Sequence, residues 1–391
     1  MKIIIAPDSF KGSLSATKAA LAVKRGLSKV WHGQADFQLF PIADGGEGTV
    51  EALVNLTGGR FVVQQAKDPL GRPIQAAWGF LGDGETAAVE VASTCGLTLL
   101  DDNELDPARA SSYGLGQQIQ QALNMGAKKL IVGLGGSCTN DAGAGMLSAL
   151  GLKLLDKSGH VLPEGGLALK ELRSLDCSQL TPLISKIPIV VASDVQNPLT
   201  GPCGASAVFG PQKGADGPLL TELDDALSHF AEIAGAHTSR KVADNPGAGA
   251  AGGLGAAFML FTEAAFRAGV EVILKEGNFR RLAQGASLII TGEGRSDDQT
   301  VWGKAPIGVA ALGKELGVPT VCLSGSLGDG YDKMYSKDMN AVMSMIPCPM
   351  TLPMAMEQAE TLLEDAAERL ARLLSVNIHP KPRISDPPTL P

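Results

Sequence analysis

The 391-residue chain exceeds the size at which one hydrophobic core usually stops growing, so two domains are the default. A net charge of −8 and an aromatic content of only 4% argue against a basic nucleic-acid surface or a platform of stacked bases. Six scattered cysteines with no C-x-x-C pair, and five isolated histidines, read as reduced thiols rather than a disulfide framework or a zinc centre.

The chain opens on a strand-like run, Lys2 to Ala6, with no basic region followed by an apolar leader. Its longest suspicious apolar stretch, 248–261, is too short to span a bilayer. The expectation is a cytoplasmic protein with no membrane or nucleic-acid partner. A homodimer stays open.

Short apolar runs alternate with amphipathic segments. Ile3 to Ala6 predicts a buried strand, and Ser15 predicts the cap of a helix running to about Lys29. Gln38 to Ile42 predicts the next strand, and Gly46 to Leu56 a helix entered through glycine. Further strands are expected at 130–132, 187–192, 288–290, 320–323 and 341–346. Helices are expected at 115–124, 219–234, 305–316 and 352–374. This alternation predicts an α/β fold with mostly parallel sheet. The runs 75–81 and 86–91 flank Gly82-Asp83-Gly84-Glu85, a hairpin turn, so a second domain with mixed sheet is expected to begin near Asp68. The expected division is 1–66 with 285–375, then 67–284, then a proline-rich irregular tail at 376–391.

Several predicted strands run directly into glycine plus a carboxylate or hydroxyl. Ligands in open α/β sheets bind at the carboxyl ends of the strands, which is where these turns fall. After the first strand come Asp8, Ser9 and Lys11; Lys11 could neutralise a phosphate or carboxylate. After the second come Asp44 and Glu47 around a glycine pair, oxygen ligands of the kind Mg²⁺ takes, although helix capping explains them equally well. Gly135 and Gly136 with Ser137, Asn140 and Asp141 form the densest polar turn, and consecutive glycines can present N–H groups to an anion. Asp194 is a candidate base and Asn197 an orienting group. Glu293, Arg295 and Asp297 follow the strand at 288–290. Two tempting patterns are set aside. Gly308 to Lys314 spells a P-loop but is followed by Glu315 and reads as helix. Gly247 to Gly252 spells a dinucleotide fingerprint but follows a poor strand.

Taken in order, Asp8 to Leu14, Ala43 to Thr49, Gly135 to Asp141, Asp194 to Leu199, Phe209 to Ala215, Gly247 to Gly253 and Thr291 to Thr300 resemble the bacterial type I glycerate kinase family over residues 1 to 375. The resemblance implies a Rossmann-like domain and a second α/β domain, with the site in the cleft between them. It implies phosphorylation of D-glycerate by ATP with Mg²⁺, usually giving 2-phosphoglycerate. On that reading Asp194, then Asp297, are the hydroxyl base or orienter, and Asp44, Glu47 and Glu293 hold Mg²⁺. Lys11, Lys213 and Arg295 meet the phosphates or the glycerate carboxylate, and the 135–137 backbone donates to phosphate. Ser296 departs from the apolar residue expected there. The competing expectations are an NAD(P)-dependent hydroxy-acid dehydrogenase using the 247–252 glycines, a metal-dependent phosphatase using the acidic turns, and a non-catalytic sensor of small acids.

Overall fold

The computed structural model describes residues 1–376, so the expected tail lies, apart from Val376, outside the described residues. In chain order the strands are β1 (Lys2–Pro7), β2 (Asp36–Leu39), β3 (Arg60–Lys67), β4 (Pro73–Phe80), β5 (Thr86–Glu90), β6 (Lys129–Gly133), β7 (Lys153–Leu155), β8 (Ser174–Asp176), β9 (Ile189–Ala192), β10 (Ala265–Arg267), β11 (Leu288–Ser296), β12 (Thr320–Leu327) and β13 (Ala341–Ser344). One sheet, ordered β13-β12-β11-β1-β2, is parallel throughout. A second, ordered β10-β9-β6-β5-β4-β3, is parallel from β10 to β5 and antiparallel across β5-β4-β3. β7 and β8 form a small hairpin apart from both. The α/β class and the mixed second sheet are as the sequence predicts. Sheet membership differs at one place: Arg60–Lys67, which but for its last residue falls within the expected first domain, pairs along its full length with β4 in the second sheet.

The sheets form because alternate residues of each strand enter different cores. Ile3 and Ile5 of β1 face a layer built on the helices Ala16–Trp31 and Ala359–Leu374. The first of these starts where Ser15 accepts from Lys18 N–H, and Ala19, Ala20, Val23 and Leu27 make its buried stripe. The helix predicted at 352–374 is broken at Gln358, leaving Leu352–Glu357 as a separate short turn of helix.

Ile4 and Ala6 point the other way, into a cluster that also takes Ala88, Ile131 and Ala192 from the second sheet. Helices Thr49–Thr57, Gly269–Glu276 and Ala305–Leu316 contribute to this cluster, so one helical layer is shared by both sheets. The far face of the second sheet packs on Tyr113–Asn124, Gly217–Thr238 and Ala250–Phe261. The shared middle layer takes Ala6 of β1, Ile289 of β11, Ile131 of β6 and Ala192 of β9, and the turns at Gly45 and Gly135 meet across it.

The two rejected motifs are resolved by backbone geometry. Gly308 to Lys314 lies inside the helix Ala305–Leu316. The 247–252 glycines follow no strand; they open a helix interrupted by left-handed residues Ala251, Gly252 and Gly253. No described helix is long and apolar enough to cross a membrane.

Candidate active site

The turn after β2 is the hub. Its Gly45 O accepts from Gly135 N–H at 3.0 Å, joining the first sheet's loop to the glycine turn after β6. The approach is too close for side chains: a Cβ on Gly135 would lie 2.5 Å from Gly46 Cα. A Cβ on Gly269 would likewise meet Asp44 C at 2.1 Å. Glycine spacing at these turns therefore serves loop docking as well as any ligand.

Asp8, at the end of β1, accepts from Ser9 N–H at 2.6 Å. Burial and then the charge of Asp44 push its pKa up to about 7, with Glu293 adding to the rise while the Ser9 hydrogen bond and Lys11 oppose it. Asp194 accepts from Gly269 N–H at 3.1 Å. Its side chain still reaches solvent, yet crowding by protein on the inner side, followed by the charges of Asp44 and Glu271, pushes it up to about 6 against that hydrogen bond. Asp44 thus acts on carboxylates from both sheets. Lys11 Nζ, largely exposed, stands 4.0 Å from Asp44 Oδ2.

Asp44→Asn should lower the pKa of both Asp8 and Asp194, which can be followed by carboxyl NMR titration. Folding raises both pKa values, so the native state binds extra protons between about pH 4 and pH 7. These groups therefore favour the folded state at the acid end of that window, and their contribution is lost as pH rises through it. Asp44→Asn should flatten that dependence.

Glu293 is buried, and its Oε1 accepts from Ser296 Oγ at 2.8 Å and Thr300 Oγ1 at 2.9 Å. Burial raises its pKa against these two bonds. The departure at Ser296 is thereby accommodated: the hydroxyl sits in a polar set with Glu293 and Ser324 Oγ. Asp297 is drawn into its own turn, holding Arg295 Nε at 3.0 Å and Gln299 N–H at 3.0 Å.

Other expected ligands point elsewhere. Asp141 is fully buried and accepts from Ser112 N–H and Oγ, Gly143 N–H and Gly145 N–H. Asn140 Nδ2 donates to Ser206 Oγ, and Asn197 Nδ2 to Cys203 O, so all three tie loops together. Lys213 is buried beneath the glycine turn and donates to Ser137 Oγ at 3.0 Å and Thr139 O at 2.7 Å. Burial lowers its pKa to about 8. Glu47 is exposed, and its charge is felt at Glu90.

Glu90 is a buried carboxylate that sequence reading passed over. From the end of β5 it accepts Val50 N–H at 2.8 Å and Gly48 N–H at 3.4 Å, across the junction between the two sheets, and burial pushes it up to about 7. The available signal was a lone Glu closing an otherwise apolar strand, Ala87-Ala88-Val89-Glu90-Val91.

Among the described residues no three His, Cys, Asp or Glu side chains converge as a ready metal cage. Asp44 and Glu293 nevertheless lie near enough to Asp8 to raise its pKa, and each of the three carboxylates accepts hydrogen bonds through one oxygen only. That donor set suits a hard cation sharing carboxylates with a ligand's phosphates and water rather than an all-protein site.

Fold and site together define an α/β protein whose two sheets bring strand-end turns carrying Asp8, Asp44 and Asp194 together beside close-packed glycines and Lys11. The model of the glycerate kinase family matches residues 3–375. The glycerate kinase of Halalkalibacterium halodurans is 45% identical over 96% of this chain and 98% of its own length. The glycerate 2-kinase of Escherichia coli is 43% identical over 97% and 99%. A solved Salmonella typhimurium LT2 protein, provisionally named glycerate kinase 2, superposes with a TM-score of 0.84 at 43% identity, covering 96% of this chain and 98% of that one. The chain belongs to the glycerate kinase family.

Proposed function

We propose that this chain transfers the γ-phosphoryl group of ATP to a hydroxyl of D-glycerate, at the 2-position. Family membership supports the reaction class, and the observation that carries the site is Asp44, whose charge acts both on Asp8 of the first sheet and on Asp194 of the second. Phosphoryl transfer asks chiefly for positioning and charge neutralisation.

In this reading Asp194 accepts the proton of the glycerate hydroxyl as that oxygen bonds to the γ-phosphorus and ADP departs. A carboxylate raised to about 6 is ionised at neutral pH and a stronger base than an ordinary aspartate. Lys11 and Arg295 neutralise phosphate oxygens from the first sheet. The backbone N–H groups of Gly136 and Ser137 bind phosphate from the second, Gly135 N–H being engaged by Gly45 O, and Lys213 supports that turn from behind. Asp44 and Glu293, with Asp8, would hold Mg²⁺, which would supply neutralising charge for the nucleotide phosphates. Asp297 acts by orienting Arg295 rather than as the base. The first domain comprises 1–59 with 285–375, since β3 belongs with the second sheet. The protein works in the cytoplasm.

The position of transfer is tested by coupling the reaction to enolase without a mutase. An immediate enolase signal, stoichiometric with ADP, is expected. ADP formation with no enolase signal would instead assign the 3-position.

A further inference from the structure

Arg267 was not among the sequence candidates, yet the strand register brings it to the site. β10 pairs in parallel with β9, setting Phe266 beside Val191 and Arg267 beside Ala192. Val191 and Phe266 pack in the core on the far face of the second sheet, whereas Ala192 belongs to the middle layer. Paired residues in a parallel sheet share a face, so Arg267 lies on the side facing the first sheet. On that side Gly45 rests against Ala192: a Cβ on Gly45 would be 2.8 Å from Ala192 O.

The backbone around Arg267 also brackets Asp194. Arg267 O accepts from Ser193 N–H at 3.0 Å, and Gly269 N–H donates to Asp194 Oδ1 at 3.1 Å. The guanidinium itself is uncommitted. Its single hydrogen bond among the described residues is a marginal 3.5 Å contact to Phe266 O, and no described carboxylate comes within 4.0 Å. Arg295, by contrast, is held by Asp297, and Lys11 stands near Asp44. An arginine without a carboxylate partner, at the strand end next to the candidate base, presents a fork matched to a planar carboxylate.

We propose that Arg267 binds the carboxylate of the acceptor hydroxy acid and so turns its hydroxyl toward Asp194. The proposal rests on the glycerate kinase reading and makes this arginine the element that separates hydroxy acids from uncharged polyols.

The test is steady-state kinetics of Arg267→Gln and Arg267→Lys with D-glycerate and MgATP varied separately. Loss of a charge-assisted bidentate contact should raise KM for D-glycerate roughly 10- to 100-fold in the glutamine variant. KM for ATP should stay within about twofold, and lysine should recover part of the loss. An unchanged glycerate KM in the glutamine variant overturns the proposal, as does a rise in ATP KM of the same size, which would make Arg267 a phosphate ligand. Should Arg267→Gln fail to fold, Arg267→Lys alone decides: a raised glycerate KM with normal ATP KM supports the proposal, and an unchanged one overturns it. Wild-type protein showing no glycerate-dependent ATP use would defeat the functional reading itself, an outcome separate from either.

Discussion

Asp194→Asn is expected to lower kcat for glycerate phosphorylation by about 10³-fold without lowering the melting temperature. General-base catalysis contributes typically about 10²- to 10⁴-fold, and the amide cannot take up the hydroxyl proton. The fold should not lose stability, because a carboxylate whose pKa is raised by folding is ionised at a cost that the neutral amide avoids. The side chain reaches solvent, and its one backbone partner, Gly269 N–H, can donate equally well to an amide oxygen. The same role fixes the pH profile. The working form is the ionised one, so kcat/KM in the wild type should fall tenfold per pH unit below about 6 and level off above it. Near-normal turnover by a folded Asp194→Asn protein would remove Asp194 as the base.

Asp141→Ala should do the reverse. Four donors converge on this carboxylate inside the fold, from Ser112, Gly143 and Gly145. Alanine leaves them buried and unpaired, at about 1–3 kcal/mol each before relaxation. Relief of the carboxylate's own burial offsets part of this. A net loss of about 2–4 kcal/mol is expected, seen as a fall of roughly 5–10 °C in Tm. Activity per folded molecule should change less than about tenfold. A melting temperature equal to wild type with abolished turnover would move Asp141 from scaffold to chemistry.

These two aspartates show what the sequence carries and what it leaves open. Both follow buried strands in polar turns, and nothing in the spacing tells them apart. The difference is direction. Asp141 turns inward because Ser112 and the following glycines offer donors, whereas Asp194 stands at the edge of a short strand beside a neighbouring loop. Lys213 is legible as a cation near the site, but its burial beneath Ser137 depends on the turn at Thr139, 74 residues away in sequence. The alternation of β1, β6, β9, β11 and β12 with helices was readable because these strands are continuous apolar runs. β3 was missed as a member of the second sheet because its exposed residues break the alternation expected of a half-buried strand. β10 was missed because three residues carry no period, and Arg267 was missed with it. The sequence suggests an anion-facing N–H at Gly135, yet at Gly45, Gly135 and Gly269 the tight loop contacts show that packing between the sheets already requires glycine.

The measurement that bears most directly on the account is ADP formation by the purified wild-type protein with ATP and Mg²⁺, with and without D-glycerate. The account predicts ADP formed one-for-one with a phosphorylated glycerate, and little ADP or free phosphate without the acceptor. ADP formation indifferent to glycerate, phosphate release without an acceptor, or binding with no turnover would contradict it.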